Sequence, residues 1–145
     1  MYRSLLFVSI VLLLALAACG GGGQSAPAGG SSPAGDAGNG KKLFTSTSMG
    51  KNNAPGCTTC HAVGGQGGQV GPDLSHVATD GAAIVKSPDY KGKAQDAPGY
   101  LRESIVDPNA YVVKGFSAGI MYENYGKDLA DQDISDLAAY LMTLK

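Results

Sequence analysis

Apolar residues near the end of the chain recur at the spacing of an amphipathic helix. Within residues 131–144 they occupy positions i, i+3, i+4, i+7 and i+10, namely Ile134, Leu137, Ala138, Leu141 and Leu144. Because a helix turns once every 3.6 residues, these side chains share one face. Acidic residues at the start of the segment suit the helix dipole. The pattern predicts a helix over residues 131–144.

Two further helices are predicted upstream. The first begins after Asp36, whose carboxylate can cap it, and carries on one side Gly40, Leu43 and Phe44. Another covers residues 100–106 and ends at Asp107-Pro108, because proline disfavours helical backbone in the residue before it. Glycine and proline dominate residues 61–100, where we expect loops, and no run of alternating strand residues is found. The pattern therefore indicates an all-α domain.

The N-terminal segment has the features of an export signal. Arg3 is followed by an apolar run over residues 5–18 that is too short to span a bilayer comfortably, and small residues lead to Cys19. The sequence Leu16-Ala17-Ala18-Cys19 resembles the lipobox of bacterial lipoproteins. The resemblance implies that residues 1–18 are a signal peptide and that the Cys19 thiol receives a diacylglyceryl group.

Acylation of Cys19 would anchor the protein at the outer face of the bacterial cytoplasmic membrane, on the periplasmic side. Each buried CH2 group of a lipid chain contributes about 0.8 kcal/mol to such anchoring. An uncleaved signal anchor is the alternative, and it would leave the domain on the same side.

Residues 20–35 contain only Gly, Ser, Ala, Pro and a single Gln. Such a stretch cannot bury enough apolar surface to offset the entropy of ordering it. We therefore expect residues 19–35 to form a lipidated cysteine and flexible tether, and residues 36–145 to form one domain. With 11 basic and 12 acidic residues and no basic tract, nothing indicates a nucleic-acid partner.

Residues 57–61 read Cys-Thr-Thr-Cys-His, the attachment signature of c-type haem. On a helical turn Cys57 and Cys60 lie on the same face, so both thiols can reach one porphyrin edge while His61 serves as proximal iron ligand. A disulfide or redox dithiol is one alternative. Half of a zinc site with His76 as an extra ligand is another, although the chain has no second Cys pair. The absence of Trp leaves a thin core that a buried porphyrin would complete.

The chain resembles the small monohaem cytochromes c with histidine–methionine ligation. The matching elements are Gly40 and Phe44, residues 57–61, Gly71-Pro72-Asp73-Leu74, residues 100–116, Met121 and residues 137–144. The resemblance implies a small all-α cytochrome c fold whose N- and C-terminal helices cross around one covalently bound haem. It implies close approach at Gly40, aromatic contacts from Phe44 and Tyr140, and a hydrogen bond from the His61 imidazole to the carbonyl group of Pro72.

The same resemblance implies that Met121 is the sixth iron ligand. The family often has proline directly after this methionine, whereas this chain has Tyr122. Met49 precedes the haem motif, and Met142 falls in the last predicted helix, where we expect it to pack in the core. The rival ligand is His76, which would give bis-histidine ligation.

A thioether ligand raises the reduction potential of a haem, and two filled axial positions leave no place for oxygen or peroxide. We therefore expect one-electron transfer without catalytic residues. Residues 100–116 resemble haem c domains of terminal oxidases, nitric oxide reductases and alternative complex III. This implies a membrane-tethered carrier, or a haem c subunit, in a respiratory or photosynthetic chain, with a quinol-oxidising complex and a terminal oxidase as its partners. A haem sensor or redox enzyme with a displaceable Met121 is the alternative.

Two charged regions complete the sequence. Residues 86–99 read as an insertion that we expect to be a mobile, solvated loop, and the alternative is a docking role for Lys86, Lys91 and Lys93. The acidic residues near the last helix are expected to form a solvated face: Asp128, Asp131, Asp133 and Asp136.

Overall fold

In the computed structural model, which describes residues 33–145, the first and last helices cross at close range. Helix α1 spans Ala37–Thr45 and begins where the side chain of Asp36 accepts a hydrogen bond of 2.8 Å from the backbone N–H of Asn39. The last helix, α5, spans Asp131–Leu141. The rings of Phe44 and Tyr140 lie 5.2 Å apart at the crossing. The predicted all-α fold with crossed terminal helices is confirmed.

The elements between these two helices are short. In chain order they are β1 (Ser48–Met49), β2 (Ala54–Pro55), a 3-10 turn (Cys57–Thr59), β3 (Ala62–Val63), β4 (Gln66–Gly67), α2 (Val77–Ile84), α3 (Ala97–Val106) and α4 (Tyr125–Asp128). Strand β1 pairs antiparallel with β2, and β3 pairs antiparallel with β4. Each strand has two residues, so within residues 33–145 the two sheets only connect neighbouring loops by hydrogen bonds.

Helix α2 lies in the region that the sequence predicts to be loops, so this prediction is wrong. Gly81 sits inside α2, and a Cβ atom there would lie 2.8 Å from the ring of Tyr100 on α3. The glycine therefore serves close packing between two helices and does not break one. Glycine content alone could not distinguish these two roles.

The ends of the predicted helices differ from the observed ends by up to three residues. Helix α3 begins at Ala97, because Asp96 accepts a hydrogen bond of 2.8 Å from the N–H of Gly99. Pro98 falls in the first turn, where no helical N–H bond is lost. The predicted end before Asp107 is observed. Helix α5 ends at Leu141, three residues before its predicted end.

The core joins α1, α3 and α5. Its most deeply buried large side chains are Phe44, Leu101, Ile134 and Leu137. Met49 is also buried in this core, and Met142, the residue directly after α5, packs against it. These contacts form the wall against which the loop residues of the site are held.

Asp136 is not on a solvated face, contrary to the prediction. It is 4% exposed, and its Oδ1 atom accepts hydrogen bonds from the N–H of Asp36 and the amide of Gln132 at 2.7 and 2.8 Å. These bonds hold the pKa of Asp136 below its usual range. By contrast, Asp131 is exposed and forms an ion pair of 2.9 Å with Arg102.

The predicted signal peptide (residues 1–18), Cys19 and most of the predicted tether lie outside the described residues. The last residues of that predicted tether contact α5. The carbonyl oxygen of Ala34 accepts a hydrogen bond of 2.8 Å from Gln132, and a Cβ atom at Gly35 would lie 2.1 Å from the carbonyl oxygen of Ser135. Within residues 33–145 no helix has the length and apolar character required to cross a membrane.

Candidate cofactor site

The two cysteines of the motif lie on one tight turn. Residues Cys57–Thr59 form a single 3-10 turn, and the N–H groups of Cys60 and His61 both donate to the carbonyl oxygen of Cys57, at 3.1 and 2.9 Å. In a 3-10 helix, positions i and i+3 are eclipsed. Both thiols are half-buried and they are not joined in a disulfide. The turn therefore presents Cys57 and Cys60 on the same side, directly before His61.

The imidazole of His61 is held in one orientation. Its Nδ1 atom lies 2.9 Å from the carbonyl oxygen of Pro72. A carbonyl oxygen only accepts, so Nδ1 carries the proton and Nε2 keeps its lone pair for a metal. The N–H of Gly71 donates to the carbonyl oxygen of Cys60 at 2.8 Å, which ties the segment of Pro72 to the motif.

Gly71 has no room for a side chain. A Cβ atom there would lie 2.5 Å from Cε1 of His61 and 2.8 Å from Nδ1. The ring of His61 therefore packs directly on the backbone of Gly71. Because Gly71 and Pro72 touch the same ring, the pair sets both its position and its protonation.

Burial shifts the acid–base properties of the motif. It raises the pKa of the Cys57 thiol to about 12, because the thiolate would lose its solvation. Burial also lowers the pKa of His61, and the hydrogen bond to the carbonyl oxygen of Pro72 opposes that effect. Both shifts favour the neutral side chains, so before any attachment the motif has a neutral imidazole.

A large apolar cavity opens beside His61. It encloses about 930 Å³ of empty space including its open mouth, and its walls come from the motif, α3, the loop after α3 and the end of α5. A second cavity of about 550 Å³ adjoins it on the side of Cys57. The two cavities share four lining residues: Cys60, His61, Ile120 and Met121. A porphyrin fits this arrangement, because the two adjoining cavities are mostly apolar, Cys60 and His61 lie in their shared wall, and Cys57 lines the second cavity.

The loop after α3 brings Met121 to this cavity together with His61. Met121 is half-buried and lines both adjoining cavities. His76 is exposed at the residue before α2 and is absent from both linings. Neither lining includes Met49 or Met142. The structure thus brings together five of the residues singled out from the sequence: Cys57, Cys60, His61, Pro72 and Met121.

Within residues 33–145, no three side chains of His, Cys, Asp or Glu gather as a metal-binding group. Cys19, the predicted lipidation site, lies outside the described residues.

The sequence reasoning missed much of the cavity wall. Helix α3 contributes four residues at helical spacing: Tyr100, Leu101, Ser104 and Ile105. The spacing i, i+1, i+4 and i+5 is that of one helical face and could have identified this wall. Val70, Phe116 and Ile120 also line the cavity and are exposed apolar side chains. No local signal distinguishes these three residues from ordinary loop residues.

The segment over residues 86–99, which the sequence predicts to be a loop, is hydrogen-bonded to α3. The hydroxyl group of Tyr90 donates a hydrogen bond to Glu103 of α3, and the N–H of Lys93 donates to the same carboxylate at 2.7 Å. The ring of Tyr90 lies 6.0 Å from that of Tyr100 and 5.7 Å from that of Tyr111. Since Tyr100 and Tyr111 line the cavity, this segment supports the cavity from outside.

Asp128 also departs from the prediction of a solvated face. It is 4% exposed, and its two carboxylate oxygens accept hydrogen bonds from Asn52 and Tyr122 at 2.6 and 2.5 Å. Tyr122 directly follows Met121, so this buried carboxylate belongs to the surroundings of the site.

Comparisons with known proteins identify the family. The family model described as cytochrome c matches residues 37–145, which include every described element of the fold. A crystal structure of SoxXA from P. pantotrophus is similar at 21% sequence identity with a TM-score of 0.41, over 77% of this chain and 83% of that chain. No curated protein matches. The chain therefore belongs to the cytochrome c family, as a monohaem c-type cytochrome whose cofactor is one covalently bound haem c with iron.

Proposed function

We propose that this chain is a one-electron carrier that is tethered to a membrane and holds its haem iron between His61 and Met121. The observation that carries the proposal is that His61 and Met121 line the same two adjoining cavities, with Cys60 in their shared wall. When bound, haem c supplies a reversible ferric–ferrous couple. The surrounding side chains set the reduction potential of the haem, its exposure to solvent and its access to other molecules.

Each residue of the site has a distinct role in this proposal. Cys57 and Cys60 hold the cofactor by one edge, through thioether bonds. The carbonyl oxygen of Pro72 accepts a hydrogen bond from Nδ1–H of His61, which fixes the ring and would make Nε2 a better electron donor to iron. Met121 supplies a soft thioether that favours the ferrous state, and the apolar lining excludes water, which acts in the same direction.

Electron transfer without catalysis follows from the ligand set. If His61 and Met121 both bind the iron, the haem would have no open coordination position for oxygen or peroxide. The exposed apolar residues Val70 and Ile120, which are 56% and 57% exposed, border the cavity and offer a contact surface for a redox partner. The resemblance of residues 100–116 to haem c domains of respiratory complexes favours transfer from a quinol-oxidising complex to a terminal oxidase.

The ligand set is tested by absorption spectroscopy on the haem-loaded protein from a host that matures cytochromes c. The ferric protein is expected to show the weak far-red band that accompanies an iron–methionine bond, and the ferrous protein to bind carbon monoxide slowly. A missing band together with rapid carbon monoxide binding would contradict the carrier and support a sensor or enzyme with an open or displaceable position.

The tether is tested separately with Cys19→Ala. If a diacylglyceryl group on Cys19 holds the protein at the outer face of the cytoplasmic membrane, the variant should leave the detergent phase and the wild type should remain there. Ser25→Ala, a change within the predicted tether, is the matched control and should partition like the wild type. A Cys19→Ala variant that still partitions into detergent would show that an uncleaved anchor holds the protein.

A further inference from the structure

The residue after Met121 is bonded to a buried carboxylate. The hydroxyl group of Tyr122 donates to Oδ2 of Asp128 at 2.5 Å, and the amide of Asn52 donates to Oδ1 at 2.6 Å. Asp128 is only 4% exposed. A hydrogen bond to a buried carboxylate is among the stronger ones, because a lost partner leaves a desolvated oxygen unsatisfied. Tyr122 is therefore held firmly from its outer end.

A second side chain bridges the loop on both sides of Met121. The Oδ1 atom of Asn109 accepts a bond of 2.9 Å from the N–H of Gly119, and its Nδ2 group donates to Glu123 at 2.6 Å. Gly119 and Glu123 lie two residues before and two residues after Met121. Gly119 has a φ of +74°, a conformation that glycine adopts without strain. Asn109 thus closes the loop across its base.

Tyr125 links this loop to the segment before the cysteine motif. The rings of Tyr122 and Tyr125 are 5.0 Å apart and nearly perpendicular. The hydroxyl group of Tyr125 donates to the carbonyl oxygen of Pro55 at 2.6 Å, and the N–H of Lys51 donates to the carbonyl oxygen of Asp128 at 3.1 Å. Pro55 lies two residues before Cys57. The loop that carries Met121 is thereby linked to the segment just before the cysteine motif.

We infer that Tyr122 is a positioning residue that, together with Asp128 and Asn109, holds Met121 at the cavity. Here side-chain hydrogen bonds restrain the loop, and the Tyr122–Asp128 bond dominates because Asp128 is buried whereas Asn109 is exposed. The inference rests on the proposed role of Met121 as iron ligand.

The test is a titration of the ferric, haem-loaded protein with imidazole, which competes with a methionine side chain for iron. Tyr122→Phe removes only the hydroxyl group and is expected to bind imidazole at least about tenfold more tightly than the wild type. Tyr140→Phe is the matched control, since it removes a hydroxyl group at the crossing of α1 and α5, and should bind like the wild type. Thermal unfolding of each variant distinguishes a local loosening from a general loss of stability.

A double-mutant cycle connects the effect to Asp128. Asp128→Asn alone should also increase the imidazole affinity, and Tyr122→Phe should add little in the Asp128→Asn background, because each change removes the hydrogen bond from the Tyr122 hydroxyl group to a carboxylate oxygen. If the Asp128→Asn variant fails to fold, the comparison of Tyr122→Phe with Tyr140→Phe decides alone.

Two failures are distinguishable. If the wild type lacks the far-red band, Met121 is not the ligand and the proposed function fails. If the wild type has this band but Tyr122→Phe binds imidazole like Tyr140→Phe, the proposed function stands and the positioning role is wrong.

Discussion

The backbone of Gly40 packs directly against the carbonyl group of Asp136, where α1 crosses α5. A Cβ atom at Gly40 would lie 1.9 Å from the carbonyl oxygen of Asp136 and 2.8 Å from Cβ of Tyr140. No side chain fits in that space. Because the two helices approach closely at Gly40, the rings of Phe44 and Tyr140 are in contact next to the crossing.

Replacement of Gly40 should therefore destabilise the fold without changing the cofactor site. Gly40→Ala is expected to lower the free energy of unfolding by about 1–3 kcal/mol, because the methyl group forces the helices apart. Gly126→Ala in α4 is the control, since a Cβ atom there would be 3.3 Å from Val106. Denaturant unfolding of the haem-loaded proteins measures the difference. A Gly40→Ala protein as stable as Gly126→Ala would contradict the packing argument.

Asp136 predicts a pH dependence of stability. Hydrogen bonds from Asp36 and Gln132 lower the pKa of Asp136 in the folded state from its ordinary value of 3.8. The ionised carboxylate of Asp136 therefore stabilises the fold fully above pH 3.8. This stabilisation is lost as the pH falls through the lower pKa that Asp136 has in the folded state. Asp136→Asn should cost about 1 kcal/mol at neutral pH and progressively less in acid. Asp89→Asn is the exposed control.

Unfolding curves recorded across this pH range check the prediction for Asp136. A cost of Asp136→Asn that stays constant from neutral pH to strongly acidic solution would show that the carboxylate charge is not involved.

The two cysteines of the motif are expected to attach the haem through thioether bonds. Cys57→Ala or Cys60→Ala should leave the haem attached through one thioether and reduce the yield of loaded protein, and the double variant should lose its haem on denaturation. Intact-mass measurement under denaturing conditions reads the attachment directly. Cys19→Ala, which lies outside the motif, should retain haem in full. Covalent haem in the double variant would rule out the motif as the attachment site.

Met121→Ala should keep the haem and lower the reduction potential, because the ferrous state loses its thioether ligand. We expect a decrease of more than about 60 mV, which is a tenfold change in a one-electron equilibrium constant. Redox titration measures it, with His76→Ala as the control. The opposite outcome, an altered potential in His76→Ala alone, would assign the sixth ligand to His76.

The sequence alone predicted those parts of the molecule that depend on local or periodic signals. The cap at Asp36, the apolar face of α5 and the cysteine turn are each encoded within a few neighbouring residues. Helix α2 was missed because Gly81 meets Tyr100, a contact between residues far apart in sequence. The glycine content of a segment does not reveal such a contact.

The same limit applies to the carboxylates near the last helix. Their charge predicts that Asp128 and Asp136 are exposed to solvent, yet both are buried. The residues that satisfy them, such as Asn52 for Asp128 and Asp36 for Asp136, are distant in sequence. Charge predicts exposure only when no tertiary donor is available, and a single sequence does not reveal such donors.

The crossing of α1 and α5 also governs when the molecule can close during synthesis. The bond between Asp36 and Asp136 joins residues 100 positions apart, and Phe44 finds its partner Tyr140 only on the last helix. A nascent chain that lacks α5 cannot complete the core, because α5 supplies part of it. Contacts between residues far apart in sequence also form slowly. Until α5 has been made, the cysteine turn therefore belongs to an open polypeptide.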